Sequence, residues 1–293
     1  MTKTAAIHPG RLEADVLDLK LAHSPDSDDA FMFYALATSK IRSESLRFTH
    51  VLEDIQTLNE KARTAVYDIT AVSFHAYAFL AEHYVLLPCG ASFGDGYGPI
   101  VVGHGHLSAG GLRGKRVAIP GKMTSAYLAL LLYERKLQTV VMPFDEILER
   151  VAAGEADAGV VIHEGQLTYS LAGLNKWVDL GEWWQSETRL PLPLGGNVIR
   201  RALGPAVIRE ATRLLRESIQ YGLDHREEAL LYATQFSRGL DPSAADRFIA
   251  MYVNDWTLDY GERGQRAVQL LLDRGFEAGI LPARVQAEFA DFA

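Results

Sequence analysis

Cysteine is nearly missing from this chain: Cys89 stands alone among 293 residues. That excludes an intrachain disulfide and leaves no companion thiol for a metal cluster or redox pair. Cys89 is expected to act as a small buried hydrophobe in a reducing compartment. Long apolar runs are missing too. No charge-free stretch reaches the ~18 residues that suggest a membrane helix, and the opening MTKTAAIHPGRLEADVLDLK has no uninterrupted apolar segment of an export signal. A soluble, cytoplasmic protein with no membrane span is expected. Positive charge is in deficit, with 29 Lys and Arg against 37 Asp and Glu and a net charge of −8. Nucleic acid is therefore not expected as a partner, because its binding rests on Lys and Arg replacing condensed counterions.

Several chemical signatures are also missing. There is no G-x-x-x-x-G-K-[ST] phosphate loop, and GDGYG (94–98) does not lie between a strand and a helix as a dinucleotide fingerprint requires. The H-E of HEGQ (163–166) is not the start of a zinc-protease H-E-x-x-H, because Leu167 stands where the second histidine belongs. His104 and His106 have metal-like spacing without carboxylate or thiol company and read better as a glycine-rich hinge. No metal site is expected.

What is present suits two modest α/β lobes: 48% hydrophobic side chains and 10% aromatics in a chain too long for most single compact cores. LKLAH (19–23), LRFTHVLE (46–53) and YDITAVS (67–73) read as strands, alternating with helical patterns that begin at Asp28, Asp54 and Phe74. Such alternation implies a mostly parallel sheet. A crossing between lobes is expected near Val101 to Gly105. A second series then runs through GKRVAIP, TSAYLALLLYERK, QTVVMP, FDEILERVAAG and EADAGVVIH, with Gly154 as a helix C-cap glycine. LPLPLGGNVIRRALG (190–204) reads as a strand returning to the first lobe, and the chain from Pro205 onward as helices. The expected division is a discontinuous first lobe of residues 1–103 and 201–293 with an inserted lobe of residues 104–200. Two crossings make an interlobe cleft that opens and closes by hinge motion.

Ligands of such sheets gather at the carboxyl ends of strands, beside helix N-termini. Four polar clusters fall there: HSPDSDD (23–29), SFH (73–75), GKMTSAY (121–127) and HEGQ (163–166). Thr124 and Ser125 open a helix whose amides suit a carboxylate, with Lys122 adding positive charge; equally, either hydroxyl is a plain N-cap. Ser73 has the same two readings, and SPDSDD reads also as a turn followed by acids that complement a helix dipole. His163 is the side chain best suited to move a proton near neutral pH, although a lone histidine at a strand end is more often structural. Strand alternation puts His163 and Glu164 on opposite faces. Trp183 and Trp184 read as one core anchor and one surface contact.

Taken together, LAHSPDSDDAFMFYAL, VLEDIQTLNEKA, DITAVSFHAYAFL, GASFGDGYGPIVV, VAIPGKMTSAYLALLL, GVVIHEGQLTY and LPLGGNVIRR resemble the 1,4-dihydroxy-6-naphthoate synthases of the futalosine route to menaquinone. The resemblance spans most of the chain. It implies the two-lobed fold of type 2 periplasmic binding proteins, and a carbon–carbon lyase that converts cyclic dehypoxanthinyl futalosine to 1,4-dihydroxy-6-naphthoate without metal or organic cofactor. It assigns the proton acceptor to His163 and substrate contacts to Ala71, Val72, Ser73, Thr124 and Ser125, with Asn59 as a further pocket residue. Some relatives carry Cys-Pro-Asn in the first loop, where this chain has SPDSDD and adds Asp26 and Asp28. The partner implied is a small-molecule carboxylate, and a homodimer is open. Two rivals share the architecture: a non-catalytic solute-binding protein and a chorismate dehydratase-like enzyme.

Overall fold

The computed structural model describes residues 16–237 and 241–291. The polar leader, read above as lacking an export signal, lies outside them except for its last five residues. The strands, in chain order, are β1 (Leu17–His23), β2 (Leu46–Leu52), β3 (Ile69–Ser73), β4 (Tyr84–Leu86), β5 (Ser92–Gly94), β6 (Ile100–Gly103), β7 (Arg116–Ile119), β8 (Gln138–Val141), β9 (Ala158–Val161), β10 (Asn175–Asp179) and β11 (Leu192–Arg200). They form two mixed sheets. One has the order β2-β1-β3-β11-β4, with β5 also on β11; the other has the order β10-β6-β9-β7-β8. The expected α/β class with two sheets is what the chain adopts.

Within the first sheet β1 pairs in parallel with β2 and β3, and β11 runs antiparallel to β3. In the second, β7 is parallel to β8 and β9, and β6 is antiparallel to β9. Sheet membership differs from the expected lobe limits at both crossings. Ile100–Gly103, assigned from sequence to the first lobe, pairs in the second sheet, and Leu192–Arg200, placed inside the inserted lobe, pairs in the first. The first crossing therefore precedes Ile100 and the second precedes Leu192. The shift has a physical cause: IVV and LPLGGNVI are apolar on both faces, so local pattern shows that they are buried strands but not which sheet they join.

Two long helices close the back of the first lobe. Gly204–Asp224 begins with Pro205 in its first turn and buries Ala211, Leu214, Leu215, Ser218, Ile219 and Gly222, a stripe at three- and four-residue spacing. Gly261–Glu277 repeats the pattern with Gly264, Ala267, Val268, Leu271, Leu272 and Gly275. Helix Ser27–Ala37 is buried on nearly every side, because it lies against Gly204–Asp224 and against two shorter helices, Arg226–Ala233 and Pro242–Tyr252. Its run AFMFYAL is apolar all round for that reason. Among the described residues, no helix is long and apolar enough to cross a membrane.

Smaller expectations meet the structure as follows. Gly154 adopts φ 79° just past the helix Ile147–Ala152, as a C-terminal glycine should. Trp184 is fully buried and its indole N–H donates to the Pro191 carbonyl at 3.1 Å, while Trp183 is half-buried against Tyr133. Cys89 is buried, and burial pushes its thiol up to about 12. FHAYAFLAEH forms only one helical turn, Phe74–Tyr77.

Candidate functional site

The carboxyl ends of β1, β3, β7 and β9 converge between the two sheets, and the space between them is a cavity of about 800 Å³, its mouth included. Three of the four polar clusters line it, and the fourth, HEGQ, does not, although Ile162 just before it does. Ser24, Asp26, Asp28 and Asp29 come from the first loop; Ala71, Val72 and Ser73 from β3; Thr124, Ser125 and Ala126 from the turn after β7; and Ile162 from the end of β9. Five of the seven residues singled out from sequence therefore line one cavity: Ala71, Val72, Ser73, Thr124 and Ser125.

The wall they make is rich in hydrogen-bond donors. Thr124 is an N-cap, its Oγ1 accepting from the Tyr127 amide at 3.2 Å and donating to the Gly121 carbonyl at 2.9 Å. Its hydroxyl is thereby spent on structure. What the helix Ser125–Tyr133 offers a ligand is the amides of Ser125 and Ala126 in its first turn, which have no intrahelical acceptor and carry the positive end of the dipole. Ser73 contributes differently. Asn59 Nδ2 donates to Ser73 Oγ at 3.0 Å, and Asn59 Oδ1 accepts from the Ser73 amide at 2.8 Å. With Oγ already accepting, the Ser73 hydroxyl has its own hydrogen to donate. Asn59 is fully buried and lies outside the cavity lining, so the expected pocket residue is instead the clamp that orients one. Lys122 is exposed and faces a different groove, so it does not add charge here as expected.

The opposite wall is acidic. Burial, reinforced by Asp29, Asp26 and Glu164, pushes the Asp28 carboxyl well above the ordinary range. Burial likewise raises Asp29 to about 7, although its Oδ2 accepts the Ser24 amide at 2.7 Å. In contrast, burial and the neighbouring His50 lower His23 to about 3. These shifts make opposing contributions to stability. From about pH 4 to 7 the unfolded chain gives up the Asp29 proton while the folded chain holds it, so stability falls as pH rises. His23 acts the other way, costing stability as pH falls from 6.5 to about 3. Asp29→Asn, which keeps an acceptor for Ser24, is therefore expected to melt a few degrees above the parent at pH 8 and close to it at pH 4. Thermal unfolding at the two pH values checks this; an equal shift at both would assign it to packing.

His163, the expected base, is buried and is not among the residues that line the cavity. β9 ends at Val161, and Ile162 presents its side to the cavity. The imidazole lies beside Phe144: Nε2 donates to the Phe144 carbonyl at 2.9 Å, and Nδ1 accepts from the Gly165 amide at 2.9 Å. Those partners select the Nε2–H tautomer, since a carbonyl only accepts and an amide only donates. Nδ1 lies 4.0 Å from Glu164 Oε2, so the two side chains are closer than strand alternation implies, because the strand has already ended. Glu164 Oε1 accepts from Ser27 of the other lobe at 3.2 Å.

Sequence reasoning missed three contributions. Leu194, Gly195 and Gly196 of β11 form part of the cavity wall, and a Cβ on Gly196 would meet Tyr260 Oη at 2.4 Å. Phe248 and Tyr252 come from the helix Pro242–Tyr252, far along the chain. The Tyr252 hydroxyl donates to Gln166 Oε1 at 2.9 Å, and with Ser27–Glu164 it ties the lobes together on the acidic side. On the donor side the His75 amide donates to Ser125 Oγ at 3.3 Å and the Met123 amide to Gln56 Oε1 at 3.3 Å. The double glycine at 195–196 was the available signal for the wall; the two aromatics had none.

Comparison with known proteins agrees with this architecture. A family model described as menaquinone biosynthesis matches residues 19–277. A protein of Thermus thermophilus named 1,4-dihydroxy-6-naphthoate synthase is 42% identical over 262 residues, covering 89% of this chain and 95% of that one. A crystal structure from Archaeoglobus fulgidus superposes with a TM-score of 0.86 at 47% identity, over 90% of this chain and 98% of that one. An alkanesulfonate-binding protein of Xanthomonas axonopodis, 15% identical, superposes with a TM-score of 0.69 over 92% and 96% of the two chains, which shows a periplasmic-binding-protein-like fold.

Proposed function

Because the chain belongs to the menaquinone biosynthesis family, as its family-model match and its 42% identical relative show, we propose that it is a lyase that converts cyclic dehypoxanthinyl futalosine to 1,4-dihydroxy-6-naphthoate. The observation that carries the reading is the two-sided cavity. Ser73 and the first-turn amides of Ser125–Tyr133 suit an aromatic carboxylate, while the acidic wall of Asp26, Asp28 and Asp29 suits the hydroxyl donors of a sugar-derived portion. A ligand that is acidic at one end and hydroxylated at the other fits that polarity.

In the proposed reaction a base removes the acidic proton beside the substrate's carbonyl, and the resulting enolate expels the sugar oxygen with its electron pair. Aromatisation of the new ring drives the later bond cleavage. The donor wall stabilises negative charge where it develops, and the interlobe ties exclude water from the carbanion-like intermediate. His163 is the proposed base. It accepts the proton at Nδ1, which requires that the 163–165 turn rearrange so that the Gly165 amide releases that lone pair and the ring reaches the substrate.

Incubating the purified protein with cyclic dehypoxanthinyl futalosine and separating the products by chromatography tests the reading. Dihydroxynaphthoate is the expected product, and intact folded protein that gives none defeats it. Solute binding without turnover is the second reading. It is favoured by the engagement of both His163 nitrogens with backbone, and it predicts binding without product in the same experiment.

A further inference from the structure

A second groove lies against the other side of the segments that wall the cavity. Ser73, Thr124, Ser125 and Ala126 face the cavity, whereas His75, Lys122 and Tyr127 line the groove together with Arg63, Phe79 and Arg135. We propose that this groove is a second ligand site, which takes a planar aromatic monocarboxylate carrying a hydroxyl group.

Three exposed cations surround it in a protein of net charge −8. Arg63, Lys122 and Arg135 form no ion pair among the described residues, and Arg135 is held by donating to the Ala278 carbonyl. Their charge is therefore available to an incoming carboxylate. The Phe79 ring face is available as well, with Tyr127 half-buried and His75 buried beside it. Phe79 is 41% exposed, and the His75 ring lies 6.1 Å from Phe79 and 6.3 Å from Tyr127, centroid to centroid. A flat aromatic body has partners here that inorganic phosphate does not use.

His75 supplies the remaining specificity. Its Nδ1 lies 3.2 Å from the Thr124 carbonyl, which only accepts, so Nδ1 carries the hydrogen. Nε2, without a hydrogen-bond partner among the described residues, is then a lone-pair acceptor on the edge of the ring left for the groove, and it suits a ligand hydroxyl. Burial holds the imidazole below its ordinary range, which keeps that lone pair at neutral pH. The same residue reaches the cavity wall through Thr124 O and Ser125 Oγ. Occupancy of the groove thereby bears on the helix start that faces the cavity, and by linkage the influence is mutual.

Titration calorimetry of the full chain with 6-hydroxy-2-naphthoate tests the site without turnover, so its outcome is independent of the proposed reaction. The parent is expected to show a binding event that Arg63→Glu/Arg135→Glu weakens by about tenfold or more. His75→Phe should weaken the same event for 6-hydroxy-2-naphthoate more than for 2-naphthoate. Should the double variant melt below the parent, Lys122→Glu provides the charge reversal instead. Absence of binding by the parent, binding indifferent to charge reversal, or displacement of the probe by equimolar inorganic phosphate would each overturn the assignment.

Discussion

His163→Gln is expected to lower kcat by about 100-fold or more with little change in KM, the loss that follows removal of a general base. Glutamine is the informative substitution because it has both a donor and an acceptor for the two backbone groups that hold the ring. Its Nε2 can donate to the Phe144 carbonyl and its Oε1 can accept the Gly165 amide. The turn is thereby kept, while the group that takes up a proton is gone. His163→Ala removes both the base and the turn's support, so it is expected to lose as much activity and some stability besides. Steady-state kinetics and thermal melts on the two variants separate the roles. Near-parental turnover in the glutamine variant, with loss only in the alanine variant, would make His163 a residue that shapes the 163–165 turn and would leave the base to be found among the cavity carboxyls.

The second large effect concerns a glycine at the crossing between the sheets. A Cβ on Gly181 would lie 1.9 Å from the Tyr97 carbonyl oxygen, 2.1 Å from its carbon and 2.6 Å from the Gly98 nitrogen. All three obstacles are backbone, so no rotamer change relieves them. The neighbourhood is also pinned: Leu180 N–H donates to the Pro99 carbonyl at 3.0 Å, and Asp179 Oδ1 accepts the Gly181 amide at 2.9 Å as the cap of the helix Leu180–Thr188. Gly181→Ala is therefore expected to cost more than about 3 kcal/mol, beyond the usual range for overpacking, because backbone must move. That corresponds to a fall in melting temperature of roughly 10 °C. Turnover should fall with it, since Pro99 lines the cavity. Gly110→Ala is the control: nothing lies within 4 Å of its Cβ position, and its melting temperature should match the parent's. Equal melting of the two variants would show that the crossing yields easily.

The sequence by itself determined the kinds of elements and the places where chemistry gathers. Helical periodicity in REATRLLRESIQYGL and strand-like runs such as DITAVS are properties of neighbouring residues, and they form as read. Strand-end logic brought Ser73, Thr124 and Ser125 to one cavity for the same reason, because loops that follow the parallel strands of each sheet emerge at its carboxyl edge, and the cavity lies between the two edges. Tertiary structure alone decided what depends on distant partners. The short strands β4, β5 and β10 exist because a neighbour hydrogen-bonds them, and the sheet membership of Ile100–Gly103 and Leu192–Arg200 was set by pairing. So was the direction of single side chains. Asn59 turned to clamp Ser73, Tyr252 arrived from a late helix to tie the lobes, and the Phe144 carbonyl and Gly165 amide captured the His163 ring outside the cavity lining. A hydrogen bond of about 1 kcal/mol is enough to choose a rotamer, and the partner that supplies it can lie anywhere along the chain.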